Sequence, residues 1–479
     1  MKENGTILRW LDENTGMFTD MADKIWEYAE PAWREYKSAE LQKTKLKELG
    51  FTITDKISGI DTAFYAERGT GKPIIGFLGE YDALPGLSQK TIPTKEAVTE
   101  GAPGHGCGHN LLGTGCLAAA VAVSKWLEEN GHSGTIRYYG CPAEEEISGK
   151  TFMARSGCFD DLDAAFNYHP GAINMPDKGS AVGVYNLHFN FSGITAHAGG
   201  APHRGRSALD AVELMNVGVN YLREHVPEKV RMHYAIIDGG RVPNIVPETA
   251  AVWYFLRAPD RKLLDEVFAR VKKVAEGAAL MTETSVEIKM IGACSSLLNN
   301  HYLADLHYQV MKEIGPITYT DQEISFAKAI NKAYPEENQK GVFKNLRIPE
   351  SETAHVEAAE KEPVIGENFP AMNAEHIMTG STDVGDVSWI TPLSMLWAAC
   401  YPTGASGHSW GVTAASGMSI GYKGMMHAAK IMACAAALVI SDPSHLKKVR
   451  EEFERKTADA PYVNPLPPEV KIEDAIPGV

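Results

Sequence analysis

The stretch Pro73-Ile74-Ile75-Gly76-Phe77-Leu78 is followed within a few residues by the turn-rich Asp82-Ala83-Leu84-Pro85-Gly86. A short apolar run closed by turn residues reads as a buried strand. Downstream, 111–129 is a small-residue helical run, a strand is expected near 135–141, a helix near 149–156 and another strand over Ala164–Tyr168. Strands alternating with helices predict an α/β fold: a mixed, mostly parallel sheet flanked by helices. Upstream, Met21, Ile25, Tyr28, Leu41, Leu46 and Leu49 mark one face of a helix over 19–49, with Gly50 as its stop.

The pattern changes after about residue 179. Residues 181–191 alternate like a strand, 206–225 read as a helix, 230–238 and 249–257 as strands, 260–278 as a helix and 284–291 as a strand. That is the β-α-β-β-α-β order of a ferredoxin-like α+β unit. The expected organisation is a first α/β segment over 1–179, an inserted lobe over 180–295, and a return to the α/β domain over 296–479. Residues 300–430 read as mixed helices and loops, and the proline-rich tail from 460 as an extended surface segment.

The 479 residues are 44% hydrophobic, enough for a large core in two to four domains or lobes. A net charge of −15 gives no global attraction for nucleic acid or an anionic membrane. No apolar run approaches the ~18 residues of a membrane span, the best candidate being Ile431–Ile440. The N-terminus lacks an apolar signal core, and seven scattered cysteines are no disulfide framework, so a cytoplasmic protein is expected.

Four segments carry chemistry. Gly104-His105-Gly106-Cys107-Gly108-His109-Asn110 sets metal-capable side chains among glycines that let the backbone bend them toward one ion. A Gly-rich turn with incidental Cys and His accounts for it equally well. Cys141-Pro142-Ala143-Glu144-Glu145-Glu146 follows a strand. It suits one carboxylate as ligand and the next as base, or else a solvated helix start. His169 ends the 164–168 strand, and His408 sits in a Gly-framed loop; either alone is more commonly structural than ligating. Together, 79–85, 104–110, 141–146 and 169 all follow predicted strands, where an open α/β sheet forms its ligand crevice. The donor set suits zinc, or manganese if carboxylates dominate.

With these motifs in order, the chain resembles the co-catalytic metallopeptidases that include aminoacylases, glutamate carboxypeptidases and auxin-conjugate amidohydrolases. Further motifs support the resemblance: Glu80-Tyr81-Asp82-Ala83-Leu84-Pro85, Asn167-Tyr168-His169-Pro170, Ala196-His197-Ala198-Gly199, Asn244-Ile245-Val246-Pro247, Gly380-Ser381-Thr382-Asp383 and Gly407-His408-Ser409-Trp410. It implies two divalent ions per subunit, Zn²⁺ or Mn²⁺, held by Cys107, His109, Glu145, His169 and His408. Glu144 would be the general base, and Asp82 would orient a ligand from behind. His197 would stabilise the oxyanion, Asn244 hold the reacting carbonyl and Arg257 meet a substrate carboxylate. The inserted lobe would be a lid and dimerisation domain, in a homodimer or a hetero-oligomer with a homologous subunit. The implied reaction is amide hydrolysis of a small N-acyl or N-aroyl amino acid, p-aminobenzoyl-glutamate first among candidates. Other acyl-amino acids or dipeptides, and a weakly active subunit, are the alternatives. Two positions depart from the wider pattern: Glu80 stands where many members carry a ligating His, and Asn110 where the auxin-conjugate branch carries Asp. Asp383 and Asp386 read as structural. A Cys107 nucleophile beside His109 is a further possibility, but it leaves the carboxylates without a role.

Overall fold

The computed structural model describes residues 4–343, 349–371 and 374–476. In chain order its helices and strands are α1 (Asn4–Glu13), α2 (Thr15–Tyr28), α3 (Tyr36–Glu48), β1 (Thr52–Asp55), β2 (Phe64–Thr70), β3 (Ile74–Gly79), α4 (His109–Asn130), β4 (Gly134–Gly140), α5 (Gly149–Arg155), β5 (Ala164–Gly171) and β6 (Met175–Pro176). Then follow β7 (Ser180–Ala181), β8 (Gly183–Ser192), α6 (Ala208–Leu222), β9 (Arg231–Asp238), β10 (Thr249–Ala258), α7 (Arg261–Thr282) and β11 (Ser285–Cys294). The remainder is α8 (His301–Ile314), α9 (Asp321–Asn331), α10 (Glu336–Gly341), α11 (Thr353–Ala359), β12 (Ile377–Met378), α12 (Val384–Ser388), β13 (Leu393–Ala399), α13 (Trp410–Ser416), α14 (Ser419–Ser441), α15 (Pro443–Thr457) and α16 (Ile472–Ala475).

The chain divides into two units: Met1–Gly179, Leu298–His376 and Val387–Tyr462 form the first, and Ser180–Leu297, Ile377–Asp386 and the residues from Val463 on form the second. The first unit is built on a seven-stranded sheet of order β1-β2-β4-β3-β5-β13-β6. Its central strands β4, β3, β5 and β13 run parallel, so their C-terminal ends share one edge. The second unit holds an antiparallel sheet of order β11-β8-β10-β9 carrying α6 and α7, the ferredoxin-like arrangement.

Three expectations need correcting. The helix expected over 19–49 is two, α2 and α3. Ala29 and Trp33 take positive φ (41° and 66°), and Pro31 cannot continue a helix. Within 300–430 the loops and helices also hold β13, a buried strand between β5 and β6 that lacks alternation because both its faces are covered. Not all of 296–479 returns to the first unit: β12 pairs in parallel with β7, and the tail buries Leu466 and Val470 rather than lying extended over the surface.

The core of the first unit packs α4 and α14 against the sheet, with Leu117, Val121, Ile431 and Val439 buried. Each such side chain contributes roughly 1.5–3 kcal/mol. Neither helix is an unbroken apolar run, yet by length and mean hydropathy both are apolar enough to cross a membrane, because alanines and larger apolar residues outweigh their few charges. In the folded protein, however, 94% and 89% of those windows are buried.

Candidate active site

Each parallel strand ends in a site residue. β3 ends at Gly79 and delivers Glu80 and Asp82; β4 ends at Gly140 and delivers Glu144 and Glu145; β5 carries His169; β13 leads into the loop bearing His408. His109 opens α4, after Gly108 takes φ +82°, a turn that favours glycine. α4 comes close to the strand ends because it carries glycine there: a Cβ at Gly113 would lie 2.4 Å from the Glu80 carbonyl oxygen.

The hydrogen bonds settle which ring nitrogens are free. The Nδ1–H of His109 donates to Asp82 Oδ1 at 2.8 Å, while Asp82 Oδ2 accepts the Glu145 backbone N–H at 2.9 Å. His109 Nε2 therefore faces Glu80 Oε2, Glu144 Oε2 and Glu145 Oε1 at 3.3, 3.9 and 4.0 Å. Although burial opposes it, Cys107 and Asp82 raise the ring above the ordinary histidine value, so a cation at Nε2 would displace a proton. His169 donates from Nδ1 to the Pro170 carbonyl at 2.9 Å, which leaves its Nε2 3.4 Å from Cys107 Sγ. His408 Nε2 lies 3.4 Å from Glu145 Oε2, and the His408 backbone N–H donates to the Gly106 carbonyl at 2.9 Å, tying its loop to the Cys-Gly-His turn.

These donors fit a divalent cation. Cys107, His109 and His169 bring one ligand atom each within 4.8 Å of one another, as do Cys107, Glu145 and His408, and Glu80, His109 and Glu144. Among the described residues, Glu80 Oε2, His109 Nε2 and Glu145 Oε1 are buried without a hydrogen-bond partner, a costly state that a cation would relieve. Burial, with the neighbouring Glu145, pushes the Cys107 thiol well up. A bound cation would hold it as the thiolate ligand instead. Burial, with nearby His109, lowers His169 to about 4, keeping it a neutral ligand. Burial, with Asp82 partly offset by His109, raises Glu145 to about 7.

Of the two departures, Asn110 is structural: its amide donates to the Ala22 and Ser416 carbonyls, a role Asp could not take. Glu80 is the residue that sequence reading left out of the site. It is buried, with Oε1 2.7 Å from the fully buried Lys150 Nζ and Oε2 facing His109. Its place two residues before Asp82 was the available signal; Lys150 left none. His105 bonds the Ile25 carbonyl instead of joining the cluster.

His197, Asn244 and Arg257 belong to the second unit. His197 and Asn244 lie side by side, the Ala198 N–H donating to the Asn244 carbonyl, and both are exposed. His197 Nδ1 accepts the N–H groups of Gly199 and Gly200 at 3.1 and 2.9 Å, so the neutral ring carries its proton on Nε2, a free donor. Arg257 stands apart from that pair. It donates to Ser381 Oγ at 3.0 Å and contacts His233. Asp386 accepts from Ser295, a structural bond.

A cysteine sulfur, imidazole nitrogens turned inward and carboxylates beside them, all at parallel strand ends, define a metal-dependent hydrolase. Residues 76–409 match the description Peptidase family M20/M25/M40. The chain belongs to that family and is a metal-dependent hydrolase of amide bonds. It is 42% identical to one of the subunits of the p-aminobenzoyl-glutamate hydrolase of Escherichia coli (strain K12), over 97% of this chain and 98% of that one. It is 27% identical to the Xaa-Arg dipeptidase of Mus musculus, over 95% and 93%. The fold is that of the Bacillus subtilis YXEP protein, described as a dinuclear metal-binding peptidase of the M20 family, with a TM-score of 0.56 and 16% identity over 90% of this chain and 99% of that one.

Proposed function

We propose that this enzyme hydrolyses N-aroyl amino acids, with p-aminobenzoyl-glutamate as the substrate of first choice and p-aminobenzoate and glutamate as products. The observation that carries the chemistry is Glu144 Oε2 lying 3.9 Å from the inward-facing nitrogen of His109. The choice of acyl group rests on the 42% identity to the E. coli hydrolase chain.

Two divalent ions, zinc or manganese, would be held by Cys107, His109 and His169 and by Cys107, Glu145 and His408. Bound there, they would lower the pKa of water from ~15.7 toward ~7 and polarise the scissile carbonyl. Glu144 takes the proton of the attacking water and returns it to the leaving nitrogen. Asp82 keeps the His109 proton on Nδ1. The Nε2–H of His197, of the same or a neighbouring subunit, meets the oxyanion. Asn244 holds the carbonyl, and Arg257 pairs with the substrate carboxylate.

That the E. coli relative is named as one subunit of its hydrolase supports an assembly of more than one chain. The second unit has a face for one. β9 is an edge strand with exposed Tyr234, Ile236 and Ile237, and α6, which packs over β10, exposes Leu214, Val217 and Tyr221. A second copy or a homologous subunit would cover this edge. The seven cysteines form no disulfide, which supports a reducing, cytoplasmic setting.

The test is a panel of aroyl-, acetyl- and peptidyl-amino acids assayed on the purified chain, alone and with added Zn²⁺ or Mn²⁺. Aroyl-glutamate is expected to give the highest kcat/KM. A clear preference for a dipeptide would overturn the substrate assignment, and no turnover by the metal-loaded chain alone would make it a subunit that depends on its partner.

A further inference from the structure

The base-bearing turn holds a strained residue, and a buried carboxylate outside the metal cluster holds that residue. Ala143, just before Glu144, takes φ 58°, a left-handed conformation that non-glycine residues rarely adopt without support. Its N–H donates to Glu35 Oε1 at 2.8 Å, and the same oxygen accepts the Trp33 N–H at 3.0 Å. Glu35 Oε2 accepts the Thr62 hydroxyl at 3.1 Å. The Thr62 carbonyl in turn accepts the hydroxyl of Tyr81, Asp82's neighbour, at 2.5 Å. Glu35 is fully buried and has no basic partner among these contacts, a costly placement for a carboxylate.

We infer that Glu35, between α2 and α3, is a positioning residue that locks the Ala143 turn and thereby aims the Glu144 carboxylate. Two features point to aim rather than general stability. The shared oxygen ties the α2–α3 connection, which also bonds the β3 loop through the Ala83 N–H to the Glu30 carbonyl, to the segment after β4. The bond also falls on the residue whose φ departs from the ordinary regions, one position before the base. The lock depends on the reach of the side chain, not its charge: an amide oxygen could accept both N–H groups equally well, while its nitrogen faces the Thr62 hydroxyl, which can turn to accept.

The inference rests on Glu144 being the base, and the test separates the two. Glu35→Gln keeps the length and replaces the carboxyl by an uncharged amide; Glu35→Asp keeps the carboxyl and withdraws the oxygens by one methylene. Glu35→Gln is expected to hold kcat within about threefold of native. Glu35→Asp is expected to lose on the order of 10²-fold in kcat with KM little changed, as for a ~1 Å misplacement of a reacting group. Crystal structures of both variants should show the Ala143 turn intact in Glu35→Gln and released, with Glu144 displaced, in Glu35→Asp. A native turn in Glu35→Asp, or the same loss of turn and kcat in Glu35→Gln, would overturn the inference. The turn geometry decides this whether or not Glu144 is the base, whose own failure would appear as a fully active Glu144→Gln enzyme.

Discussion

Asp82→Asn replaces two acceptor oxygens with one oxygen and one donor, at a position where both oxygens are in use. Oδ1 takes the His109 Nδ1–H at 2.8 Å and Oδ2 takes the Glu145 N–H at 2.9 Å. If the new amide nitrogen faces Glu145, a partly buried backbone N–H loses its acceptor, at a cost of about 1–3 kcal/mol at most. If it faces His109, the ring must accept on Nδ1, and its proton moves to Nε2. That nitrogen then has no lone pair for a cation. Losing such an outer partner typically weakens metal binding 10–100-fold, or about 1.4–2.7 kcal/mol at 1.36 kcal/mol per decade. The metal-free variant, titrated with Zn²⁺ against a chromophoric chelator, should show a dissociation constant raised within that range while its far-UV circular dichroism matches native. Equal affinity in native and Asp82→Asn protein would refute the reasoning.

Glu144→Gln should retain its metal by elemental analysis yet lose on the order of 10²–10⁴-fold in kcat, whereas His169→Ala should lose metal as well; full activity in Glu144→Gln would remove Glu144 as the base. His105, His307 and His427 are buried and held down by desolvation to about 4, about 3 and about 4. The unfolded chain, titrating near ~6.5, binds more protons below that pH, so stability is fully present above about 6.5 and falls as pH drops toward 4. Because buried Glu35 and Glu145, raised to about 8 and about 7, act with the opposite sign, urea midpoints are compared with those of a His307→Asn variant, whose decline with pH should be shallower than native; identical slopes would contradict the burial of that ring. Ile236→Lys on the β9 edge should shift the protein toward monomer in light scattering, and an unchanged mass would place the subunit contact elsewhere.

Local sequence sufficed for much of this protein. The insert was legible because β10 throughout, and β8 and β11 over part of their length, show the alternating burial of an antiparallel sheet, a period that residue order records directly. The chemistry-bearing segments were legible because a parallel sheet sends every strand's C-terminal end to one edge, so motifs following strands had to converge. Tertiary packing decided the rest. β13 carries no alternation because both its faces are covered, and nothing in residues 19–49 except Pro31 marks the break between α2 and α3. The partner of Glu80 is Lys150, seventy positions away, and the partner of Ala143 is Glu35, more than a hundred positions away. Pairs so distant leave no periodic trace along the chain. Their placement is set by how closely α4 and the α2–α3 connection pack against the strand ends, because hydrogen-bond partners are assigned by distance in the folded core rather than by order in the chain.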